Sequence, residues 1–245
     1  MSQYKELAAI YDNLINADVD YKAWADKILN ICNELKVERK DYLDLACGTG
    51  NMTELLSKAF KSSWAVDISP AMLTEAENKL RTNGMKIKLI CQDICNLKLN
   101  QSFDLITCCL DSTNYILEDD ELEAYFKSVY RHLKPEGVFV FDINSYYKLT
   151  EVLGNNIYSF DNEEVVYLWE NYLEEDIVQM KLIFFVKEGN KYKRFDEVHE
   201  EKAYTEQYME ELLVDVGFNI RKKLDNYEKN EISNETERIT YVLTI

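Results

Sequence analysis

The chain has 245 residues, of which 45 are Asp or Glu and 28 are Lys or Arg, so its formal net charge at pH 7 is −17. Hydrophobic residues make up 47%, and there are only 7 Gly and 2 Pro, which is typical of a packed globular protein and excludes a disordered or collagen-like chain. The negative charge disfavours nucleic acid as a partner, because nucleic-acid affinity depends mostly on Lys and Arg that neutralise phosphates.

The sequence contains no segment typical of export or of a membrane span. Its start, Met1–Asp12, is charged and has no apolar core of the kind found in signal peptides. The longest apolar runs, such as Val138–Phe141, are far shorter than the roughly 20 residues of a membrane helix. We therefore expect a cytoplasmic protein that makes no membrane contact.

The cysteine pattern predicts neither disulfides nor a metal site. Disulfides are disfavoured without export, and several cysteines lie in apolar runs where Cys acts as a small hydrophobic residue. No pair has the C-x2-C spacing of a zinc site, and only His132 and His199 could add ligands. The six cysteines are Cys32, Cys47, Cys91, Cys95, Cys108 and Cys109.

The first part of the chain alternates short apolar runs with amphipathic stretches, a βαβα pattern that predicts a mostly parallel sheet covered on both faces. Amphipathic helices are predicted over Lys22–Val37 and around Leu122–Leu133, where apolar residues recur every three or four positions. The predicted strands are Tyr42–Ala46, Trp64–Asp67, Ile87–Gln92, Phe103–Leu110 and Val138–Ile143.

After Asn144 the pattern changes to partly alternating runs with no helix between them, which indicates antiparallel strands. The runs are Val165–Tyr172, Ile177–Lys187 and Tyr192–Tyr204. We expect residues 145–204 to form a small inserted β subdomain. Residues 1–144, with a helical cap over 1–40, and 205–245 then form the main domain. It is expected to end in an antiparallel pair, Asn219–Leu224 and Arg238–Ile245.

The stretch Tyr42–Asn51 predicts a strand, a glycine-containing turn and the start of a helix. Such a turn lets the backbone approach a ligand, and the free N–H groups at the helix start favour acceptor atoms. The dinucleotide fingerprint G-x-G-x-x-G needs a third glycine where this chain has Thr53, and G-x-x-x-x-G-K-[ST] occurs nowhere. Both phosphate-binding motifs are therefore excluded.

The turn, Asp44-x-Ala46-x-Gly48-x-Gly50, resembles the first motif of class I S-adenosylmethionine-dependent methyltransferases, with Ala46 at the usual first glycine. The second strand ends in Asp67, an acid that can accept both hydroxyls of a ribose, as in the family's second motif.

Two further segments, Cys91–Ile94 and Leu133–Gly137, resemble the family at the end of strand three and at the turn before strand five. The resemblance spans about residues 40–143. It implies a Rossmann-like doubly wound α/β fold, a seven-stranded mostly parallel sheet with an antiparallel last strand, and S-adenosyl-L-methionine as cofactor. The resemblance implies that Asp44 lies near the amino end of the cofactor methionine and Asp67 at the ribose, with Met72 beside the adenine and Asp93 and Ile94 at the adenine edge. The other implied cofactor-binding residues are Ala46, Gly48, Gly50, Ile68 and Leu110.

The pattern Tyr11-Asp12 … Asp20-Tyr21-x-x-Trp24 resembles small-molecule methyltransferases, notably N-methyltransferases of aminosugars and glycine-like amines. That branch places an N-terminal aromatic residue over the acceptor, uses a polar residue just after strand four, and has a β insertion that serves here as an expected substrate lid or homodimer contact. The implied catalytic candidates are Tyr11, Asn114 and Tyr115, and the substrate-binding candidates are Tyr21, Trp24, Asp111 and His199.

The expected function is methyl transfer from S-adenosylmethionine to a small molecule, with an amine as the expected acceptor. Two alternatives remain open: a methyltransferase for RNA or protein, which requires a basic groove beside the cofactor site, and a non-catalytic module that keeps the fold. An NAD-dependent oxidoreductase is a weaker third alternative because of Thr53.

Overall fold

The computed structural model describes residues 8–15, 19–229 and 231–245. The helices are α1 (Ala8–Ile15), α2 (Tyr21–Glu34), α3 (Asn51–Leu56), α4 (Pro70–Thr82), α5 (Asp119–His132) and α6 (Glu206–Val216). The strands are β1 (Asp41–Leu45), β2 (Ser62–Asp67), β3 (Lys88–Cys91), β4 (Phe103–Cys108), β5 (Leu133–Asn144), β6 (Ile157–Asp161), β7 (Val165–Glu174), β8 (Ile177–Glu188), β9 (Lys191–Lys202), β10 (Asn219–Asp225) and β11 (Arg238–Thr244).

Seven strands form one sheet in the order β10-β11-β5-β4-β1-β2-β3. The pairs among β1 to β5 are parallel, whereas β11 runs antiparallel to both of its neighbours, β5 and β10. The predicted fold class is therefore confirmed, including the antiparallel last strand.

Alternating residues of the strands supply two separate cores, one on each face of this sheet. On β5, Phe139 and Phe141 pack in the core that contains α5 and α6, whereas Val138 and Val140 pack in the core that contains α2 and α3. Burial on both faces is what parallel strands require. It explains why their sequences read as nearly continuous apolar runs.

The second sheet has the order β6-β7-β8-β9 and is antiparallel throughout. It lies within the predicted insertion 145–204, although the division into domains itself stays a prediction. The sequence analysis did not predict two elements of residues 145–204. Strand β6 is mostly exposed and carries no periodic apolar signal, and a π-helical turn over Lys148–Leu153 precedes it.

One boundary differs from the expectation. Strand β5 begins at Leu133, which pairs with Phe103, and not at Val138, which pairs with Leu105. Residues 134–137 form a bulge between these two pairs, so the predicted turn before strand five lies inside the strand. No helix in the described part of the chain combines the length and the apolar character that a bilayer crossing requires.

Candidate active site

A cavity of about 1310 Å³ lies at the carboxyl ends of β1, β2 and β4 and against one face of the four-stranded sheet. Single-ligand pockets are typically about 300–1,000 Å³, so this cavity has room for two ligands side by side. It is lined by most of the predicted site residues: Tyr11, Trp24, Ala46, Gly48, Asp67, Ile68, Met72, Asp93, Ile94, Leu110, Asp111, Tyr115 and His199. The predicted site residues that do not line it are Tyr21, Asp44, Gly50 and Asn114.

The turn after β1 forms part of the cavity wall with its backbone in the left-handed region. Ala46, Gly48 and Gly50 have φ of 49°, 53° and 83°. A Cβ at Gly48 would meet no atom within 4 Å, so a side chain there would project into open space. Gly50 serves packing instead, because its Cβ would lie 3.4 Å from the Cβ of Ala76 on α4. The turn thus presents bare backbone to a ligand.

Asp67 ends β2 and holds this turn in place. Its buried carboxylate accepts hydrogen bonds from the backbone N–H of Gly48 at Oδ2 and of Ser69 at Oδ1, both at 2.8 Å. Burial raises the pKa of Asp67 above its ordinary value, although the backbone N–H groups favour the charged form. Each carboxylate oxygen can accept a second hydrogen bond, so Asp67 can also receive the two hydroxyls of a ribose.

Asp44 is a support for the wall and not part of it. Its buried carboxylate accepts hydrogen bonds from the hydroxyls of Thr53 at 2.5 Å and Thr107 at 2.8 Å. These bonds tie β1 to the start of α3 and to β4. Burial raises the pKa of Asp44 to about 6. The contact predicted between Asp44 and the amino end of the cofactor therefore stays a prediction, with Asp44 outside the cavity lining.

The predicted adenine contacts surround one end of the cavity. Met72 is buried, whereas Ile68 is 68% exposed beside it, an unusual exposure for an isoleucine at the end of a buried strand. The carboxylate of Asp93 accepts a hydrogen bond from the N–H of Cys95 at 2.9 Å, which fixes the turn that carries Ile94. This end of the cavity is apolar, with a carboxylate at its edge.

A second left-handed turn follows β4, where Leu110 and Asp111 have φ of 64° and 52°. Such a conformation costs a non-glycine residue roughly 1–2 kcal/mol. Both strained N–H groups donate to the carboxylate of Asp142 on β5, each at 2.8 Å. Asp142 is fully buried and was not predicted from the sequence. It fixes the turn that separates the two halves of the cavity.

Arg238 of β11 lies between the two carboxylates at this turn. Its guanidinium pairs with Asp142, and with Asp111 at 2.7 Å, and lies 5.4 Å from the ring centroid of Trp24. Tyr227 also donates its hydroxyl to Asp142 and stacks on Trp24 with ring centroids 4.4 Å apart. Trp24, predicted as a substrate contact, therefore lies in a network of aromatic rings and charges.

The four-stranded sheet closes the other half of the cavity. Its lining residues occupy alternate positions on their strands and include His199 and Glu201 of β9. The ring of His199 contacts Tyr115 edge to face at 5.9 Å. Glu201, which is 3% exposed, accepts a hydrogen bond at Oε2 from the side-chain amide of Asn144 at 2.8 Å. The sequence analysis missed both Glu201 and Asn144.

Burial perturbs three titratable groups in this half of the cavity. It lowers the pKa of His199 to about 4 and also lowers that of Lys148, on which the charge of Arg238 acts in the same direction. Burial raises the pKa of Glu201 to about 8, with the neighbouring charge of Asp111 adding to the effect. Perturbed groups gathered in one cavity indicate a site of proton chemistry.

Asn114, a predicted catalytic candidate, lies behind the cavity lining and acts as a clamp. Its side-chain amide donates to the backbone carbonyls of Asn144 at 3.1 Å and Lys202 at 3.0 Å, and its oxygen accepts from the N–H of Asn144 at 2.9 Å. It is fully buried. These bonds hold the end of β5 against the end of β9, so Asn114 positions Asn144 and Glu201.

Helix α1 is tied to the turn after β1 by Asp12. The carboxylate accepts hydrogen bonds from Thr49 at 2.6 Å and Asn51 at 3.0 Å and pairs with Lys79 of α4 at 2.5 Å. Burial opposes the charge of Asp12, but these partners, above all Lys79, hold its pKa below the ordinary value. The adjacent Tyr11 lines the cavity, whereas Tyr21 contacts the ring of Trp24 without lining it.

Comparison with known proteins decides the family. Residues 43–137 match the family model described as a methyltransferase domain. A Bacillus subtilis protein with the name "Putative methyltransferase YqeM" is 31% identical to this chain. The match covers 97% of this chain and 95% of that protein. The chain belongs to the methyltransferases.

Solved structures agree with this assignment. The crystal structure of an S-adenosylmethionine-dependent methyltransferase from Clostridium acetobutylicum is 57% identical, with a TM-score of 0.94 over 99% of this chain and 98% of that one. A Streptomyces venezuelae protein is 30% identical over 134 residues, 54% of this chain and 55% of its own length, and is named a dTDP-3-amino-3,4,6-trideoxy-α-D-glucopyranose N,N-dimethyltransferase. The predicted family, enzyme class and cofactor are confirmed.

The cavity of this methyltransferase fits S-adenosylmethionine. Gly48 leaves open the space that any side chain would fill, and Asp67 offers free acceptor positions for hydroxyls. Met72, Ile68 and Ile94 line the cavity with apolar surface that an adenine ring would contact. These features support a proposal that the cofactor binds in this half of the cavity and the acceptor in the half beneath the four-stranded sheet.

The described residues hold no cluster of three or more His, Cys, Asp or Glu side chains suited to a metal ion.

The residues that the sequence analysis missed fall into two groups, those at the end of a parallel strand and those elsewhere. Asp142 and Asn144 end a parallel strand, where ligands bind in α/β sheets, so this rule alone would have identified them. Lys148, Glu201 and Arg238 lie about 100 residues or more after the Asp44–Gly50 motif, do not follow a parallel strand directly, and belong to no recognisable local motif.

Proposed function

We propose that this methyltransferase methylates a small molecule that carries a cationic amine and no phosphate. The observation that carries the proposal is the charge of the cavity lining, where acidic residues outnumber basic ones ten to two among the described residues. The acidic residues are Asp20, Asp67, Asp93, Asp111, Glu121, Glu201, Asp225, Glu228, Glu235 and Glu237, and the basic ones are Lys148 and Arg238.

The two basic residues do little to offset this charge. Arg238 is paired with Asp111 and Asp142, and burial together with Arg238 disfavours the charged form of Lys148. Several of the acids, including Glu228, Glu235 and Glu237, are exposed at the edge of the cavity. Clefts lined by one sign of charge concentrate ligands of the opposite sign. A protonated amine is therefore attracted, and a polyanion is repelled.

The same charge argues against the alternatives. A methyltransferase for RNA needs Lys and Arg beside its active site, and this lining provides an acidic edge instead. The Streptomyces venezuelae relative supports an amine acceptor, because its name describes N,N-dimethylation of an amino sugar. That sugar is attached to a nucleoside diphosphate, whose negative charge the acidic edge here disfavours.

The chain's own residues bind, orient and enclose the reactants. S-adenosylmethionine, when bound, supplies a methyl group on a sulfonium sulfur, so the protein mainly aligns the nucleophile and excludes water. Asp67 and the turn around Gly48 bind one side, and the turn at Leu110–Asp111 divides the cavity. Trp24, Tyr115 and the inward face of β9 enclose the acceptor side.

The proposal is tested by S-adenosylhomocysteine formation with ethanolamine, benzylamine and glucosamine, each compared with its uncharged alcohol analogue: ethylene glycol, benzyl alcohol and glucose. We expect turnover of one or more amines only, with a KM that rises with ionic strength because salt screens the acidic edge. Folded RNA serves as the polyanion control. Turnover of RNA, or of alcohols at the rate of amines, would refute the proposal.

A further inference from the structure

Glu201 lines the acceptor half of the cavity. It pairs with Val178 in the register of β8 and β9 and lines the cavity from the same face as His199. Asn144 donates to Oε2, and no other hydrogen bond to Glu201 is seen among the described residues. Oxygen Oε1 is therefore available to a ligand.

The charged groups that act on this carboxylate are Asp111 from the turn after β4, Arg238 and Lys148, and none of them forms an ion pair with it among the described residues. Arg238 of β11 is engaged by Asp111 and Asp142, and Lys148 lies on the π-helical turn. Asn144 from β5 and His199 from β9 are polar neighbours in the lining. An unpaired buried carboxylate is costly to keep. Such a cost is commonly retained where function requires the group.

We propose that Glu201 is the general base that accepts the proton of the bound ammonium group. This inference rests on the proposed function, because it presupposes an amine acceptor. In the step, an N–H bond of the ammonium breaks and its electron pair stays on nitrogen, while an O–H bond forms at the Glu201 carboxylate. The neutral amine then carries the lone pair that methylation requires, and Glu201 later releases its proton to solvent.

The other groups in the acceptor half are less suited to this role. Burial lowers the pKa of His199 to about 4, so its imidazole is a weak base. Burial raises the pKa of Glu201 to about 8, and an efficient base has a pKa near the working pH. Asn144 positions the carboxylate through its hydrogen bond, and Asn114 positions Asn144.

The test compares Glu201→Gln with the matched control Glu200→Gln. Gln can still accept the hydrogen bond from Asn144 but cannot accept a proton, whereas Glu200 points to the opposite sheet face and bonds to Gln179. We expect Glu201→Gln to lower kcat for the amine that the wild type methylates by roughly 10²-fold or more at pH 7.5. Its affinity for S-adenosylhomocysteine should be unchanged, and Glu200→Gln should match the wild type in both.

A second readout needs no turnover. Carbon-13 NMR of protein labelled at the glutamate carboxyl should show one resonance that titrates near pH 8 and is missing in Glu201→Gln. A third readout is the pH dependence of turnover: the kcat lost in Glu201→Gln should be recovered at high pH, where the free amine arrives already deprotonated. A structural defect would not show the recovery at high pH.

The outcomes separate the two proposals. If the wild type methylates amines and Glu201→Gln does so at the same rate with the same pH profile, the general-base assignment is wrong and the amine acceptor stands. If the wild type binds S-adenosylhomocysteine but methylates no amine, the proposed function is wrong and this inference is withdrawn with it. A Glu201 resonance that titrates near pH 4.5 also overturns the assignment.

Discussion

The two halves of the cavity differ in which groups line them, backbone in one and side chains in the other. The cofactor half is mostly backbone: left-handed turns at Ala46 and Gly48 expose peptide groups, and Asp67 holds them. The acceptor half is mostly side chains, presented by alternate positions of β9 and its neighbours, such as His199 and Glu201. One half depends on conformation and the other on residue identity.

This difference has a consequence for what each half tolerates. In a turn that binds through its backbone, the positive φ limits which residue types each position can hold. A sheet face, in contrast, accepts new side chains without a change of fold. The four-stranded sheet has a second, outward face with exposed Leu168, Tyr172 and Val198, which does not contact the cavity. Acceptor choice can therefore change on one face of this sheet while the rest of the molecule is kept.

The largest effect is expected at Asp142, where the two halves meet. Asp142→Asn leaves Arg238 without its buried partner and removes one acceptor from the strained N–H groups of Leu110 and Asp111. Removing one member of a buried pair typically costs about 3–5 kcal/mol. Urea unfolding measures this loss, with Asp161→Asn on exposed β6 as the control. A decrease in the free energy of unfolding below about 1 kcal/mol would show that Asp142 does not stabilise the turn at Leu110–Asp111 and Arg238 as proposed.

Stability against pH tests the acceptor half alone. Because the pKa of Glu201 rises from 4.5 to about 8 on folding, the folded state binds more protons, and stability falls as pH rises through this window. One proton accounts for at most about 1.4 kcal/mol per pH unit. Glu201→Gln should abolish this component, so the variant gains stability over the wild type at pH 8.5 more than at pH 5. If the melting temperatures of the wild type and of Glu201→Gln change with pH in parallel, this prediction is wrong.

The cofactor half is tested at Asp67. Asp67→Ala removes a carboxylate that fixes Gly48 and offers acceptors for hydroxyls, so S-adenosylhomocysteine affinity should fall by about 1–3 kcal/mol. Isothermal titration calorimetry measures the change, and Asp196→Ala on the outward face serves as the control. Unchanged affinity in Asp67→Ala means that the ribose does not bind at Asp67.

The smallest effect, and the sharpest sign, is expected at Ala46. Ala46→Gly relieves a left-handed alanine at φ 49°, worth roughly 1–2 kcal/mol, against about 0.5–1 kcal/mol of added freedom in the unfolded chain. A net stabilisation of about 0.5–1 kcal/mol should appear in chemical unfolding. Ala23→Gly, on the exposed side of α2, should instead destabilise by about 1 kcal/mol. Equal signs would show that the turn at Ala46 is not strained.

The cofactor half was largely predictable because its signals are local. Asp67 and Asp93 each end a strand, and the turn from Asp44 to Gly50 is continuous in sequence. Even here the motif does not specify the hydrogen bonds inside the protein: the carboxylate of Asp44 accepts them from Thr53 and Thr107, and Asp44 does not line the cavity.

The acceptor half was predictable only in part, because its geometry depends on register and on long-range pairing. Tyr115 lines the cavity but its neighbour Asn114 does not, a difference set by the direction of two side chains in one short 3₁₀ turn. Glu201 lies inside because β9 pairs with β8 in one particular register. A shift by one residue would turn Glu200 inward instead, and no local pattern in the sequence specifies that register.

The position of β11 has a consequence for how the molecule is made. Strand β11 lies between β5 and β10, and its Arg238 reaches Asp142 across 96 positions of the chain. During ribosomal synthesis β5 emerges first, and it has an open edge and an uncompensated carboxylate until β11 arrives. The carboxylate of Asp142 therefore gains its charged partner only at the final step of sheet assembly, so a nascent chain halted before Arg238 exposes an unpaired strand edge and an unpaired charge.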